Sequence, residues 1–104
     1  MLSGRHLTLA LALAVVAVPA HAATIQIVME NLVFAPGEVS ARVGDTIEWV
    51  NKDVFVHSAT ARNGDFDVNQ PPKKTVTSVL QKAGTVEYYC RYHPNMKGVL
   101  KIAP

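Results

Sequence analysis

The chain contains little cysteine and little histidine. Cys90 is its single cysteine among 104 residues, and it has four histidines. A disulfide within the chain is therefore excluded, and a lone thiol in an oxidising compartment needs another occupation, such as metal ligation. The basic residues form no dense cluster, which argues against a nucleic-acid-binding protein.

The first 22 residues have the features of a secretory signal peptide. A positive start at Arg5 is followed by an apolar run over residues 7–18, and a small-x-small cleavage site at residues 20–22 precedes Ala23. The apolar run has 12 residues, fewer than the roughly 20 needed to span a bilayer. We therefore expect cleavage, a periplasmic or otherwise exported product, and no membrane insertion.

The remaining residues, 23–104, are enough for one small domain. This part has 82 residues, and a domain of that size is marginal unless a metal or a disulfide stabilises it. Nine Lys and Arg against eight Asp and Glu leave it close to neutral. A modest basic bias comprises Lys73, Lys74, Arg91 and Lys97, and two interpretations stay open: ordinary solvated side chains, or a docking patch.

Alternating apolar residues between turn signals predict strands, and no helix, in residues 23–104. The predicted strands are residues 24–29 with a short continuation over 31–34, then 38–43, 46–50, 54–58, 75–80, 85–90 and 98–102. Residues 59–72 are predicted to be irregular. Seven to eight short strands of this kind indicate an all-β sandwich with Greek-key connections.

The strand over residues 85–90 bears most directly on function. Its period of two places Val86, Tyr88 and Cys90 on one face. Val86 and Tyr88 are suited to a core, so we expect Cys90 to enter the protein from the core side at the end of the strand. A thiol in that position would be largely shielded from water and oxidants.

Three soft or borderline metal donors follow one another at three-residue steps: Cys90, His93 and Met96. A thiolate, an imidazole and a thioether favour copper over magnesium, calcium or manganese, which prefer oxygen ligands. Pro94 argues against a helix, because proline lacks an N–H and pushes the preceding residue towards extended geometry. Residues 89–98 are therefore predicted to form a tight loop, closed by Gly98, in which three side chains converge.

The pattern Cys90-x-x-His93-Pro94-x-Met96-x-Gly98, preceded by His57, resembles the cupredoxins, the type 1 blue copper proteins. Its short loop is most similar to that of amicyanin, whereas pseudoazurin and plastocyanin have more residues between the histidine and the methionine. The resemblance extends over about residues 24–102. It implies a cupredoxin-like β-sandwich that holds one type 1 copper ion per chain. The implied ligands are a trigonal set of His57, Cys90 and His93, with Met96 as a weak axial ligand.

The resemblance also implies an electron carrier and not an enzyme. Copper would cycle between Cu(I) and Cu(II), and donor and acceptor redox proteins would dock transiently on a hydrophobic surface around His93 of a monomer. A periplasmic copper carrier or sequestration protein without redox cycling would use the same ligands, but the scarcity of methionine favours the electron carrier. An oxidase or reductase would need an open coordination position or a second copper centre, and residues 23–104 contain no further histidine.

Taken one at a time, the donors have other interpretations. Cys90 is also consistent with an inert buried thiol, or with a nucleophile that uses His93 as its base, although no orienting Asn or Asp has a recognisable position. His57 alone is consistent with a core histidine, and Met96, like Met29, with a flexible gap-filler. Zinc fits less well than copper, because structural zinc would need four Cys or His ligands. Covalently attached c-type haem is excluded, because the chain has no Cys-x-x-Cys-His motif.

Ser58 departs from the cupredoxin pattern. In many cupredoxins an asparagine follows the first histidine, and its side chain ties that loop to the cysteine-bearing loop. A serine hydroxyl can still donate a hydrogen bond near the thiolate, but its side chain is shorter. Because contacts around the sulfur tune the reduction potential, a potential typical of the family does not transfer to this chain.

Overall fold

The structure is a computed structural model that describes residues 21–104 together with the separate positions 4 and 10. The predicted signal peptide, residues 1–22, lies almost wholly outside the described residues. The described part has nine strands and contains no helix long and apolar enough to cross a membrane. The strands are β1 (Thr24–Glu30), β2 (Val33–Ala35), β3 (Glu38–Arg42), β4 (Thr46–Asn51), β5 (His57–Ala61), β6 (Asp67–Gln70), β7 (Thr75–Val79), β8 (Gly84–Cys90) and β9 (His93–Ala103).

The strands form two sheets that enclose one core. The first sheet has the order β2-β1-β4-β7, and the second has the order β3-β9-β8-β5-β6. The chain passes between the sheets several times, so many neighbouring strands are not consecutive in sequence, and the pairs β1–β4 and β3–β9 are parallel. The predicted all-β sandwich is confirmed, and these crossing connections are typical of Greek-key sandwiches.

Alternate residues of each strand fill the core between the sheets. Trp49 and Tyr88 are fully buried and meet edge to face with ring centroids 5.3 Å apart, and Phe34 approaches Tyr88 to 4.8 Å. Such pairs combine a large buried area with favourable electrostatics between the rings. The other buried apolar residues include Ile27, Met29, Val39, Ala41, Ile47, Ala59, Val86, Cys90, Leu100 and Ile102, so the predicted core face of β8 is confirmed.

Two predictions in the middle of the chain are wrong. The strand predicted over residues 54–58 begins late: residues 54–56 lie outside any strand, β5 begins at His57, and Val54 and Phe55 are 69% and 54% exposed. Alternation misleads there because these apolar side chains face solvent and not the core. Residues 59–72, predicted to be irregular, contain most of β5 and all of β6. The polar sequence of β6 lacks apolar alternation, and this strand pairs with β5 at the edge of the sheet.

The described part of the chain has nine strands and not the predicted seven to eight, because β6 is additional and because the chain reverses at Asn31 and Leu32, so that β2 does not continue β1. Asn31 and Leu32 have positive φ angles of 54° and 60°, and two such residues form the tight turn that matches the twist of a hairpin. β2 then returns antiparallel to β1, with Phe34 opposite Met29. Near the other end of the chain, β9 begins at His93, well before the predicted residue 98.

Candidate metal centre

Cys90 is the last residue of β8 and is fully buried. The strand register is irregular between Tyr89 and Cys90, after which Cys90 lies opposite His93 in β9. Such irregularities re-aim side chains, and here the result is an imidazole beside the thiol. The predicted loop over residues 89–98 is therefore shorter than expected: only Arg91 and Tyr92 lie between the two paired strands.

Three metal-binding side chains converge at this end of the sandwich. Sγ of Cys90 lies 3.6 Å from Nδ1 of His57 and 3.7 Å from Nδ1 of His93. One ligand atom from each residue lies within 4.8 Å of the other two. Donors arranged in a plane at about 2.0–2.3 Å from a metal ion are separated by about 3.5–4 Å. The cluster therefore has the dimensions of a three-donor metal site.

Asp53 fixes the orientation of His57. The fully buried imidazole donates from Nε2 to Oδ2 of Asp53 at 2.7 Å. Because a carboxylate only accepts, the neutral ring keeps a lone pair on Nδ1, the nitrogen beside Cys90. The same carboxylate accepts the amides of Asn31 and Leu32 in the β1–β2 turn. Burial acts to raise the pKa of Asp53, but the hydrogen bonds from His57 and the two amides outweigh it and lower the pKa below its ordinary value.

Ser58 holds β5 against the end of β8. Its backbone amide donates to Sγ of Cys90 at 3.4 Å, and its hydroxyl accepts the amide of Arg91 at 2.9 Å. An N–H directed at a thiolate stabilises the negative charge on sulfur. The hydroxyl also contacts Oγ1 of Thr60 at 2.8 Å, and Thr60 donates to Asp67. Ser58 thus links β5 to the end of β8 by two hydrogen bonds: its amide bonds the sulfur of Cys90, and its hydroxyl bonds the amide of Arg91, the next residue.

Met96 lies in β9, and its side chain is almost completely buried at 2% exposure. It lines a surface depression together with His93, Leu32 and Tyr92. Of the three clustered donor residues, only His93 is partly exposed. Leu32, Tyr92 and Phe55 are exposed apolar residues around it, and the ring of Phe55 lies 6.0 Å from that of His93. The edge of the centre that reaches the surface is therefore apolar.

Three polar residues near the centre are absent from the sequence prediction. Besides Asp53, they include Asn51, whose side chain donates to the carbonyls of Phe55 and Gln70 and accepts the amide of Asp53. Gln70 lies opposite His57 in the β5–β6 register and is fully buried, yet neither polar atom of its carboxamide has a partner within the described chain. For Asn51 and Asp53 the signal in the sequence is the polar stretch over residues 51–53, which also fits an ordinary turn, and nothing in the sequence singles out Gln70.

The chemistry of the donors fits copper. A buried thiol beside two imidazoles is a soft-to-borderline set, and the nearby carboxylate of Asp53 is occupied by His57. Oxygen-preferring ions suit such a set poorly, and structural zinc sites use four Cys or His ligands. The sandwich and its His–Cys–His cluster therefore define a copper protein of the cupredoxin class, with copper as the cofactor.

Comparisons with known proteins agree. The chain belongs to the cupredoxin-like domain family, which matches residues 6–102, so the predicted family is confirmed. It is 31% identical over 107 residues to the methylamine utilization protein MauL of Methylorubrum extorquens, covering 99% of this chain and 94% of that protein. Amicyanin of Paracoccus versutus is 29% identical over 87 residues, which cover 78% of this chain and 64% of amicyanin.

The same fold also occurs within a larger copper enzyme. The copper-containing nitrite reductase of Thermus scotoductus superposes with a TM-score of 0.70 and 25% identity, covering 78% of this chain but 22% of the enzyme. The fold alone therefore does not separate electron carriers from copper enzymes. That distinction depends on the site and on what surrounds it.

Proposed function

We propose that the chain is an exported type 1 copper protein that carries single electrons between redox partners. In this proposal His57, Cys90 and His93 are trigonal ligands and Met96 is a weak axial ligand. The observation that carries the proposal is the grouping of two imidazole nitrogens and one thiol within 4.8 Å at the end of a β-sandwich. Copper in such a ligand set supplies a one-electron couple between Cu(I) and Cu(II).

The surrounding residues support a fixed donor geometry. Asp53 orients His57, the amide of Ser58 bonds the sulfur of Cys90, and His93 is held by its pairing opposite Cys90. All three contacts are made between groups of the protein itself. The donors can therefore keep one arrangement for both states, which limits the rearrangement that electron transfer requires.

The surface around His93 supports transient docking of a redox partner. Exposed apolar side chains surround this partly buried imidazole, including Tyr92 at 50% and Phe55 at 54% exposure. Weak complexes between redox proteins have interface areas at the small end of the known range. An apolar patch of this kind on a monomer can provide such an area. A basic docking patch has less support, because Arg91 pairs with Asp67.

An electron carrier also fits better than the two alternatives. A protein that passes Cu(I) by ligand exchange would favour exposed thioethers, but Met29 and Met96 are 0% and 2% exposed. Catalysis at copper would need an open coordination position. In the proposed site the three trigonal ligands and the axial Met96 would fill all four positions of the ion. Export to the periplasm follows from the predicted signal peptide over residues 1–22.

Visible and EPR spectra of the Cu(II)-loaded protein, followed by voltammetry, test this function. We expect an intense thiolate-to-copper absorption with narrow copper hyperfine splitting, its loss in Cys90→Ser, and a reversible one-electron wave. Met96→Leu should change the spectrum and the potential, whereas Met29→Leu, the same substitution at a core methionine of β1, should not. A pale Cu(II) spectrum, or copper held only as Cu(I), would contradict the electron carrier and favour the copper carrier.

A further inference from the structure

Asp45 directly precedes β4, at the opposite end of that strand from Asn51, and its carboxylate is held in a defined position. Its Oδ1 accepts the backbone N–H of Ala23 at 2.8 Å, and its Oδ2 accepts the backbone N–H of Arg42 at 2.8 Å. The residue is only 6% exposed. Its backbone amide donates to the carbonyl of Arg42, and its carbonyl accepts the amide of Leu80. The two amides hold the pKa of Asp45 below its ordinary value, so the group is a carboxylate.

Ala23 is also where the paired backbone of the domain begins. Its carbonyl accepts the amide of Thr46 at 2.9 Å, and β1 starts at the next residue, parallel to β4. His21 and Ala22 are exposed and lie outside any strand. The nitrogen that Asp45 binds therefore belongs to the residue that follows the small-x-small site predicted for cleavage.

We propose that Asp45 is a receptor site for an α-ammonium group, and that cleavage between Ala22 and Ala23 supplies that group from the chain itself. A processing peptidase would hydrolyse this peptide bond with one water molecule. Ala22 leaves with the new carboxylate, and the nitrogen of Ala23 becomes an amine that takes up a proton at neutral pH. The uncharged backbone N–H of Ala23 is thereby replaced by an α-ammonium group, which faces the carboxylate of Asp45 that is already in position.

The consequence is a domain that becomes more stable when the leader is removed. Charge-assisted hydrogen bonds are roughly twice as strong as neutral ones, and this one joins the start of β1 to the turn before β4. The inference uses the export step of the proposed function but not the copper site. Its failure would therefore leave the electron-carrier assignment standing, and failure of the copper assignment would leave this inference standing.

The experiment compares two processed proteins made from full-length precursors in an exporting host. One precursor is native, and the other has a glycine inserted between Ala22 and Ala23, so that the nitrogen of Ala23 remains a peptide nitrogen after cleavage. Intact mass should show that the native product begins at Ala23. In metal-free protein, we expect the native product to melt roughly 2–8 °C above the extended one, with a difference that shrinks as salt is raised.

Asp45→Asn in both precursors completes the test, because the difference between the two N-terminal forms should vanish in that background. Glu48→Gln, which removes a partly exposed carboxylate of β4, is the matched control and should leave the difference intact. If Asp45→Asn does not fold, selective acetylation of the α-amine of the native product should lower its Tm to that of the extended protein. A product that begins elsewhere, equal Tm values, or a difference that survives Asp45→Asn would each overturn the proposal.

Discussion

Asp53→Asn is expected to weaken copper binding by changing which nitrogen of His57 carries the proton. The native carboxylate accepts from His57 and from the amide of Leu32 on Oδ2, and from the amide of Asn31 on Oδ1. Asparagine offers one oxygen and one NH₂ group. If the oxygen faces His57, the NH₂ group opposes the Asn31 amide, and two donors meet. If the NH₂ group faces His57, Nε2 must accept, and the ring proton moves to Nδ1, the atom beside Cys90.

The cost should fall more on metal affinity than on folding. Loss of the outer hydrogen bond of a metal-ligating histidine lowers metal affinity by about 10–100-fold, which corresponds to about 1.4–2.7 kcal/mol. With the NH₂ group facing His57, the Asn31 amide keeps an oxygen acceptor and the Leu32 amide loses its acceptor, but Leu32 is 42% exposed, so water can replace that bond. We therefore expect the metal-free protein to lose at most about 1 kcal/mol of unfolding free energy.

Two measurements check this prediction. Competition with a chelator of known affinity gives the copper affinity, and ¹⁵N NMR of the metal-free protein reports which ring nitrogen of His57 is protonated. Glu48→Gln is the control, because it also removes one carboxylate, from a partly exposed side chain bonded to Gln26. The reasoning is refuted if Asp53→Asn binds copper as tightly as Glu48→Gln while Nδ1 of His57 stays unprotonated.

Two further substitutions test the packing around the centre. Gly98→Ala is expected to destabilise the protein by about 1–3 kcal/mol, as overpacking does, because a Cβ there would overlap the buried ring of Tyr88. Gly37→Ala is its control, since that Cβ would meet only the carbonyl of Phe34 at 3.9 Å; equal urea midpoints for the two variants would contradict the prediction. Gln70→Leu is expected to raise the urea midpoint of the metal-free protein, because a buried unpaired amide costs about 1–3 kcal/mol. A lower midpoint would instead mean that the carboxamide has a partner in solution, such as an ordered water.

Local sequence pattern predicts this fold well wherever side chains alternate against the common core. β1, β3, β4, β7 and β8 lie close to their predicted positions, and Cys90 faces inward as its spacing from Val86 and Tyr88 requires. The pattern fails where an apolar side chain faces solvent, as Phe55 does near His93. It also fails for β6, whose polar residues pair with β5 without apolar alternation.

The sequence by itself determined the family, the all-β class, and the candidate donors Cys90, His93 and Met96, because those three lie within one short stretch whose spacing is a local property. The family resemblance also pointed to His57, but only the tertiary structure places this residue, 33 positions before Cys90, beside Cys90 and His93, since that contact depends on β5 pairing with β8.

The same holds for the residues that support the centre and the start of the domain. The carboxylate of Asp53 is shared between His57 and the amides of the β1–β2 turn, and the carboxylate of Asp45 reaches back to Ala23 across 22 residues. Each bond to a distant segment forms only when separate strands enter their sheets, so the order of residues along the chain carries no signal for it.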